Sequence, residues 1–177
     1  MNVAYHLIVV FDGTNFNGWQ IQSAGIRTVQ GELEDRLQRL FRDEKLRITG
    51  SSRTDAGVHA LGMSVSFRVR ENHDFTAESL AYTLNRWLPQ DIRIAHCRTV
   101  DPDFHARHDA IGKTYIYTLI NHPACSPFET RYAWHVPAKM NLDIMRKCAD
   151  ILIGEHDFKA FSANPKRELE TTVRDLR

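Results

Sequence analysis

Apolar residues recur along this chain at two spacings, every second residue and every third or fourth, and the switches between them order the first hundred residues. Tyr5 to Phe11 is apolar and β-branched and stops at the turn signal Asp12-Gly13, which predicts a buried strand. Thr28 is placed to cap a helix whose Val29, Leu33, Leu37, Leu40 and Phe41 share one face. Leu46 to Thr49 reads as a short strand. Met63, Val65, Phe67 and Val69 alternate with Ser64, Ser66, Arg68 and Arg70, the pattern of a half-buried strand. Thr76 is the cap of a second predicted helix, with Leu80, Leu84, Trp87 and Leu88 inward and Pro89 as its stop. Ile92 to Val100 supplies a fourth strand. The order β-α-β-β-α-β predicts an α+β, ferredoxin-like (split β-α-β) half with an antiparallel sheet and both helices on one face.

After Pro102 the pattern starts again. Lys113 to Asn121 is a predicted strand with Tyr115, Tyr117 and Leu119 on one face, and Tyr132 to Val136 is another. Asn141 caps a predicted helix through Ile153 with Met145, Cys148, Ala149 and Leu152 inward and Gly154 past its end. From Thr171 the chain turns extended. The expected organisation is a domain over 1–103 and a second, related half over 104–177 that is cut short, with a strand, a helix and a final strand still owed. On that reading the 177 residues are not a self-sufficient enzyme.

Composition narrows the class without naming a partner. With 42% hydrophobic and 25% charged residues the chain reads as an ordinary soluble protein, and no apolar run approaches the length of a membrane span. Cys97, Cys125 and Cys148 are odd in number and lack metal-ligand spacing, which fits reduced thiols in the cytoplasm. The net charge of +1 does not by itself call for nucleic acid. Arg93, Arg98, Arg107, His108 and Lys113 cluster, but Asp101, Asp103 and Asp109 lie among them. His96, Cys97, His105 and His108 lack the paired short spacing of a zinc site, so no metal is expected.

The loop between the two middle strands, Gly50 to His59, is polar and carries Gly50 and Gly57. Within it stands Arg53-Thr54-Asp55-Ala56-Gly57-Val58-His59-Ala60. Further short stretches accompany it: Phe11-Asp12-Gly13-Thr14, Gly18-Trp19-Gln20, Thr28-Val29-Gln30, Leu84-Asn85 through Leu88-Pro89, Phe104-His105-Ala106-Arg107, Lys113-Thr114-Tyr115-Ile116-Tyr117 and His156-Asp157-Phe158. Taken together and in this order, they resemble the tRNA pseudouridine synthases of the TruA type.

The resemblance implies an isomerase that breaks the N1–C1′ bond of a uridine, turns the base and rejoins it through C5. That chemistry needs no redox change and no added group, so neither metal nor organic cofactor is expected. It implies Asp55 as the catalytic carboxylate, either attacking C1′ or taking the C2′ proton. Seen outside the octapeptide, an Asp before Ala-Gly also reads as an Asx-type turn. The resemblance further implies that Arg53 helps extrude the target base, although a surface arginine or phosphate clamp looks the same in sequence. It makes Tyr115 the tyrosine that stacks on the uracil and helps remove the C5 proton, although a core tyrosine looks the same in sequence. His105, Arg107 and Lys113 are candidate contacts to the RNA backbone, ordinary surface roles standing beside that one. His59 reads as a buttress of the loop, with proton transfer open to an imidazole.

The implied partner is tRNA, at uridines 38 to 40 of the anticodon stem-loop, and the implied assembly a homodimer. Two departures from the family pattern are Ser52, where glycine is usual, and Met63, where glutamine is common. An arginine that pairs with the catalytic aspartate in the family has no counterpart among these residues. The rival reading is a non-catalytic RNA-binding module of RRM-like topology, which shares the element order. It requires an aromatic platform on the third strand, where only Phe67 stands. A catalytically dead paralogue is a second rival, against which the retained Asp55 argues.

Overall fold

The computed structural model describes residues 2–71, 73–161 and 171–177, which fall into two compact units, Met1–Tyr115 and Ile116–Arg177. In the first unit the elements are β1 (Asn2–Phe11), α1 (Val29–Phe41), β2 (Ile48–Gly50), β3 (Ala60–Arg70), α2 (Ala77–Trp87) and β4 (Ile92–Val100). The strands form one sheet of order β2-β3-β1-β4, and every neighbouring pair is antiparallel. This is the split β-α-β arrangement that the periodicities predict. Two threonines start the helices. Thr28 Oγ1 accepts from Gly31 N–H, and Thr76 forms a reciprocal capping box with Ser79.

One face of the sheet makes the core. Tyr5, Leu7, Val9 and Phe11 of β1 and Met63, Val65, Phe67 and Val69 of β3 meet Val29, Leu33, Leu37, Leu80 and Leu84 of the helices, all of them buried. Two details depart from simple periodicity. Trp87, predicted inward, is 51% exposed; it ends the helix one position off the buried stripe of Leu80, Leu84 and Leu88. In β4 the partners of Ile8 and Val9 are His96 and Ile94, so Ala95 is bulged out. The bulge resets the inward phase from Ile92 and Ile94 to Cys97, whose burial pushes its thiol pKa up to about 12.

Both edge strands are tied to the helices by buried or half-buried polar side chains. Gln30 Nε2 donates to Ile48 O at 3.2 Å and Glu34 Oε2 accepts from Ile48 N–H at 3.1 Å, which satisfies the outer edge of β2. On the opposite edge Asn85 donates to Ile94 O at 2.9 Å and accepts from Ile94 N–H at 2.8 Å. A free strand edge is a template for unwanted pairing, and here a helix side chain occupies each one. Thr28-Val29-Gln30 and Leu84-Asn85 thereby acquire structural roles.

The other face of the sheet is polar, and a strap after β4 crosses it. Phe104 packs on His6 with ring centroids 4.9 Å apart, Ala106 N–H donates to Ser66 Oγ at 3.1 Å, and Arg68 Nε donates to Pro102 O. His6 lies beneath, 2.7 Å from Ser64 Oγ through Nε2 and accepting from Arg98 Nε at 3.1 Å through Nδ1. The neutral Nε2–H tautomer satisfies both contacts.

In the second unit β5 (Leu119–Ile120) pairs in parallel with β6 (Trp134–His135), α3 (Leu142–Leu152) follows its Asn141 cap, and β7 (Gly154–Asp157) pairs antiparallel with β8 (Val173–Leu176). The predicted strand from Lys113 is confined to Leu119 and Ile120. A strand exists only where its N–H and C=O groups have a ladder partner, and among the described residues only the segment around β6 offers one. The α3 face expected to turn inward, with Met145, Cys148, Ala149 and Leu152, has no buried residue. Its amphipathic pattern produces a helix, but none of its residues is buried among the described residues. None of the described helices is long and apolar enough to cross a membrane.

His6 gives the first unit a pH signature. Burial first, then the Arg98 guanidinium and His96, hold its pKa below the ordinary 6.5. A folded pKa below the unfolded one adds stability above the unfolded value and loses it as pH falls through the folded value. Urea midpoints should therefore fall between pH 7.5 and 5.5, and His6→Gln should flatten that fall. Equal pH slopes for the two proteins would contradict the assignment.

Candidate active site

The loop that joins β2 to β3 is built on the backbone of the segment that follows β1. Glycine 13 stands where a Cβ would lie 1.9 Å from Val58 O, so no larger residue fits without moving the loop. Gly18, at φ +87°, leaves room for Thr54 O, which a Cβ there would meet at 2.4 Å. Two hydrogen bonds join the same surfaces: Trp19 N–H donates to Thr54 O at 3.1 Å, and Gly57 N–H donates to Phe16 O at 3.2 Å. Phe16 and Trp19 are themselves buried, and the Trp19 ring fills the space over Gly50. Chain entering the loop is thus pinned by an aromatic floor and chain inside it by two glycine contacts.

Asp55 sits at the exposed turn of this loop, where its carbonyl accepts from Val58 N–H at 3.2 Å. Its carboxylate has no hydrogen-bond or ion-pair partner among the described residues. Arg53 is exposed as well, and its guanidinium is likewise unpaired there. Thr54 between them faces the other way, with Oγ1 buried and unpartnered. The alternation turns the two charged side chains outward while Thr54 anchors.

At the far end of the loop His59 Nδ1 lies 3.1 Å from Gly13 N and 3.0 Å from Asp12 Oδ1. Bare Nδ1 accepts from Gly13 N–H, whereas protonated Nδ1 donates to Asp12. In both states His59 ties the loop to the end of β1, which agrees with a buttress. Ser52 has no positive φ, since Arg42 is the one non-glycine residue with φ above zero among those described; a side chain is accommodated there without strain. Met63 Sδ accepts from Ser51 Oγ at 3.5 Å, a weak contact under the loop.

The remaining candidates stand elsewhere. His105 and Arg107 are on the strap; His105 Nδ1 accepts from Arg107 and His108 N–H at 3.3 and 3.2 Å, and Arg107 is exposed. Lys113 and Tyr115 lie in the exposed segment that ends the first unit, Tyr115 at 72% exposure. No hydrogen bond or ring contact joins either of them to the 53–58 loop among the described residues. Arg53 and Asp55 lie two residues apart on the loop, and among the described residues no hydrogen bond, ion pair or ring contact joins Tyr115, Lys113, His105 or Arg107 to them. Asp12, Gly13, Gly18 and Trp19 were visible in sequence as short motifs, but the contacts that give them a purpose were not.

Among the described residues β3 offers no RRM-like stacking surface. Phe67 is buried on the helix side, and the strap crosses the open face, which presents Ser64, Ser66 and Arg68 from β3.

Comparison with known proteins settles the family. The family model described as tRNA pseudouridine synthase matches residues 7–109, from β1 to the end of the strap. This chain belongs to the tRNA pseudouridine synthase family. tRNA pseudouridine synthase A of Bacillus sp. (strain KSM-64) is 40% identical over 172 residues, covering 97% of this chain and 69% of that protein. The protein of the same name from Clostridium botulinum (strain Eklund 17B / Type B) is 44% identical over 170 residues, covering 96% and 68%. A second synthase A of Clostridium tetani is 40% identical over 171 residues, covering 96% and 67%. The chain thus spans about two thirds of the length of these synthases.

Gly13→Ala tests the clamp. The added methyl collides with Val58 O, so the loop must shift by an ångström or more, and misplacement on that scale costs roughly 10²-fold in rate. Pseudouridine formation should fall by about that factor while cooperative unfolding is kept. Gly62→Ala, whose Cβ would meet nothing closer than Ile8 Cγ2 at 3.7 Å, should leave the rate unchanged. Equal rates for both variants would remove the clamp from the account.

Proposed function

We propose that this chain isomerises uridine to pseudouridine in tRNA, at positions 38 to 40 of the anticodon stem-loop, with Asp55 as the nucleophile. Membership of an isomerase family supports the reaction class. The observation that carries the assignment of Asp55 is its setting: an exposed carboxylate without a partner among the described residues, on a loop fixed through backbone contacts to Gly13 and Gly18. A nucleophile must be free to meet substrate yet held in place, and this loop supplies both.

In the proposed sequence the Asp55 carboxylate attacks C1′ and the N1–C1′ bond breaks, leaving the electron pair on the uracil. The base turns, C5 attacks C1′, the carboxylate leaves, and the C5 proton is lost while N1 takes up a proton from solvent, which restores the ring. Uridine must first leave the helix stack. Arg53, two residues away and unpaired, is suited to hold the opened RNA. Tyr115 is proposed as the platform for the uracil; its exposed ring is available to a base. His105, Arg107 and Lys113 are proposed to meet the RNA backbone. The enzyme is proposed to act in the cytoplasm as a homodimer, and the chemistry assigned to it calls for no cofactor.

Asp55→Asn keeps the size of the side chain and removes its nucleophilicity. Release of tritium from 5-³H-uridine tRNA should vanish, while tRNA binding and the unfolding midpoint stay close to wild type. A variant that kept a tenth of the wild-type rate would exclude Asp55 as the nucleophile.

A further inference from the structure

A second charged site lies at the opposite end of β2 from the Asp55 loop. A cavity of about 190 Å³ opens on the polar face of the sheet, at the β2–β3 edge and under the strap. Its volume is the share of roughly six water molecules. Lys45 and Arg47 from the turn before β2, Thr49 of β2, Ser66 and Arg68 of β3 and His105 of the strap line it. Asp43 is the one carboxylate in the lining, and its Oδ1 already accepts from Lys45 N–H at 2.9 Å.

The register explains why these cations converge. Ile48 pairs with Phe67 and both face the core, while Thr49 pairs with Ser66 on the polar face. Arg47, one residue before the ladder begins at Ile48, and Arg68, one residue past Phe67, both line the cavity. Like charges lining one cavity repel unless something of opposite sign lies between them. Arg47 is partly engaged, with Nε 3.5 Å from Glu34 Oε1 and Nη1 donating to Glu44 O and Leu46 O at 2.9 and 2.8 Å. This leaves Nη2 as its free donor toward the cavity among the described residues. The Lys45 ammonium has no partner among the described residues, and Arg68 spends only Nε on Pro102 O. Two hydroxyls, Thr49 and Ser66, complete a wall of donors. Ser66 Oγ accepts from Ala106 N–H, which leaves its own proton to give.

We infer that this cavity is an anion subsite for one backbone phosphate of the bound RNA. Its identification with RNA rests on the function proposed above. A phosphodiester presents oxygens that match a guanidinium fork, an ammonium and hydroxyl donors, and contacts of this kind position a nucleic acid without reading its sequence. From Arg47 to Ser51 the extended chain covers roughly 13 Å. The subsite therefore grips the RNA away from the target base, and its loss should act on binding rather than on the chemical step.

The test uses the full chain and the double variant Lys45→Gln/Arg47→Gln. The pair Arg39→Gln/Arg86→Gln, exposed arginines on α1 and α2 outside the cavity, is the control for the loss of two charges. Inorganic phosphate titrated into the wild type should shift the amide resonances of residues 45–49 and 66–68, and the double variant should lose those shifts. The slope of log tRNA affinity against log salt should fall by about one phosphate's worth, roughly 0.7 to 0.9, in the double variant and stay unchanged in the control. Turnover at saturating tRNA should remain within about twofold. The inference is overturned if phosphate shifts nothing at these residues, or if the double variant keeps the control's salt slope. Phosphate shifts and the slope change in a protein that makes no pseudouridine would uphold the subsite and sink the proposed function instead.

Discussion

Everything proposed for this chain depends on one close approach, in which the backbone after β1 comes against the backbone of the 53–58 loop with no side chain between them. Gly13 and Gly18 make the approach possible, and hydrogen bonds from Trp19 and Gly57 hold it. Backbone contacts of this kind have fewer degrees of freedom than side-chain contacts. They fix a loop without using the side chains that the loop must present. Arg53 and Asp55 can consequently remain exposed, with side chains unpaired among the described residues, on a loop that is itself held.

The rest of the first unit serves this contact. The four-stranded sheet places the end of β1 beside the start of β3, so the residues after Phe11 and before Ala60 have to meet. Gln30 and Glu34 hold β2 from its outer edge, which keeps the entry to the loop in register. Glu34 is buried, and desolvation raises its pKa above the ordinary carboxylate value against the opposing pull of Ile48 N–H and Arg47. A buried carboxylate at that position costs stability as pH rises, and its hydrogen bond to the strand offsets the cost. Arg27, bidentate to Asp91 and 4.0 Å over the Phe16 ring, braces the aromatic floor from the side.

Much of this was legible in the sequence, and for a physical reason. Strands and helices of the first unit each bury one face, so their periods are strong, and Thr28, Thr76 and Pro89 mark helix ends by mechanisms that act locally. The β4 bulge at Ala95 was not legible, because one extra residue shifts the phase without changing composition. Trp87 misleads because an apolar residue at a helix end is counted inward whichever way it points. In the second unit the patterns at Lys113 to Asn121 and along α3 are equally clear, but among the described residues only Leu119 and Ile120 of the first find a ladder partner and α3 has no buried residue. At the site, the octapeptide around Asp55 announced itself by resemblance. The glycine clamp did not, since it joins residues some 40 positions apart, and neither did the Lys45–Arg47–Arg68 cavity, which exists only through the register of β2 on β3.

The central claim is that this loop carries out uridine isomerisation in the anticodon arm of tRNA. Mapping pseudouridine at single-nucleotide level, in tRNA from cells that carry the protein and cells that lack it, tests this most directly. The account predicts that pseudouridine at positions 38 to 40 disappears without the protein and returns when the wild-type chain is restored in its native context. Unchanged modification at all three positions in cells without the protein would contradict it.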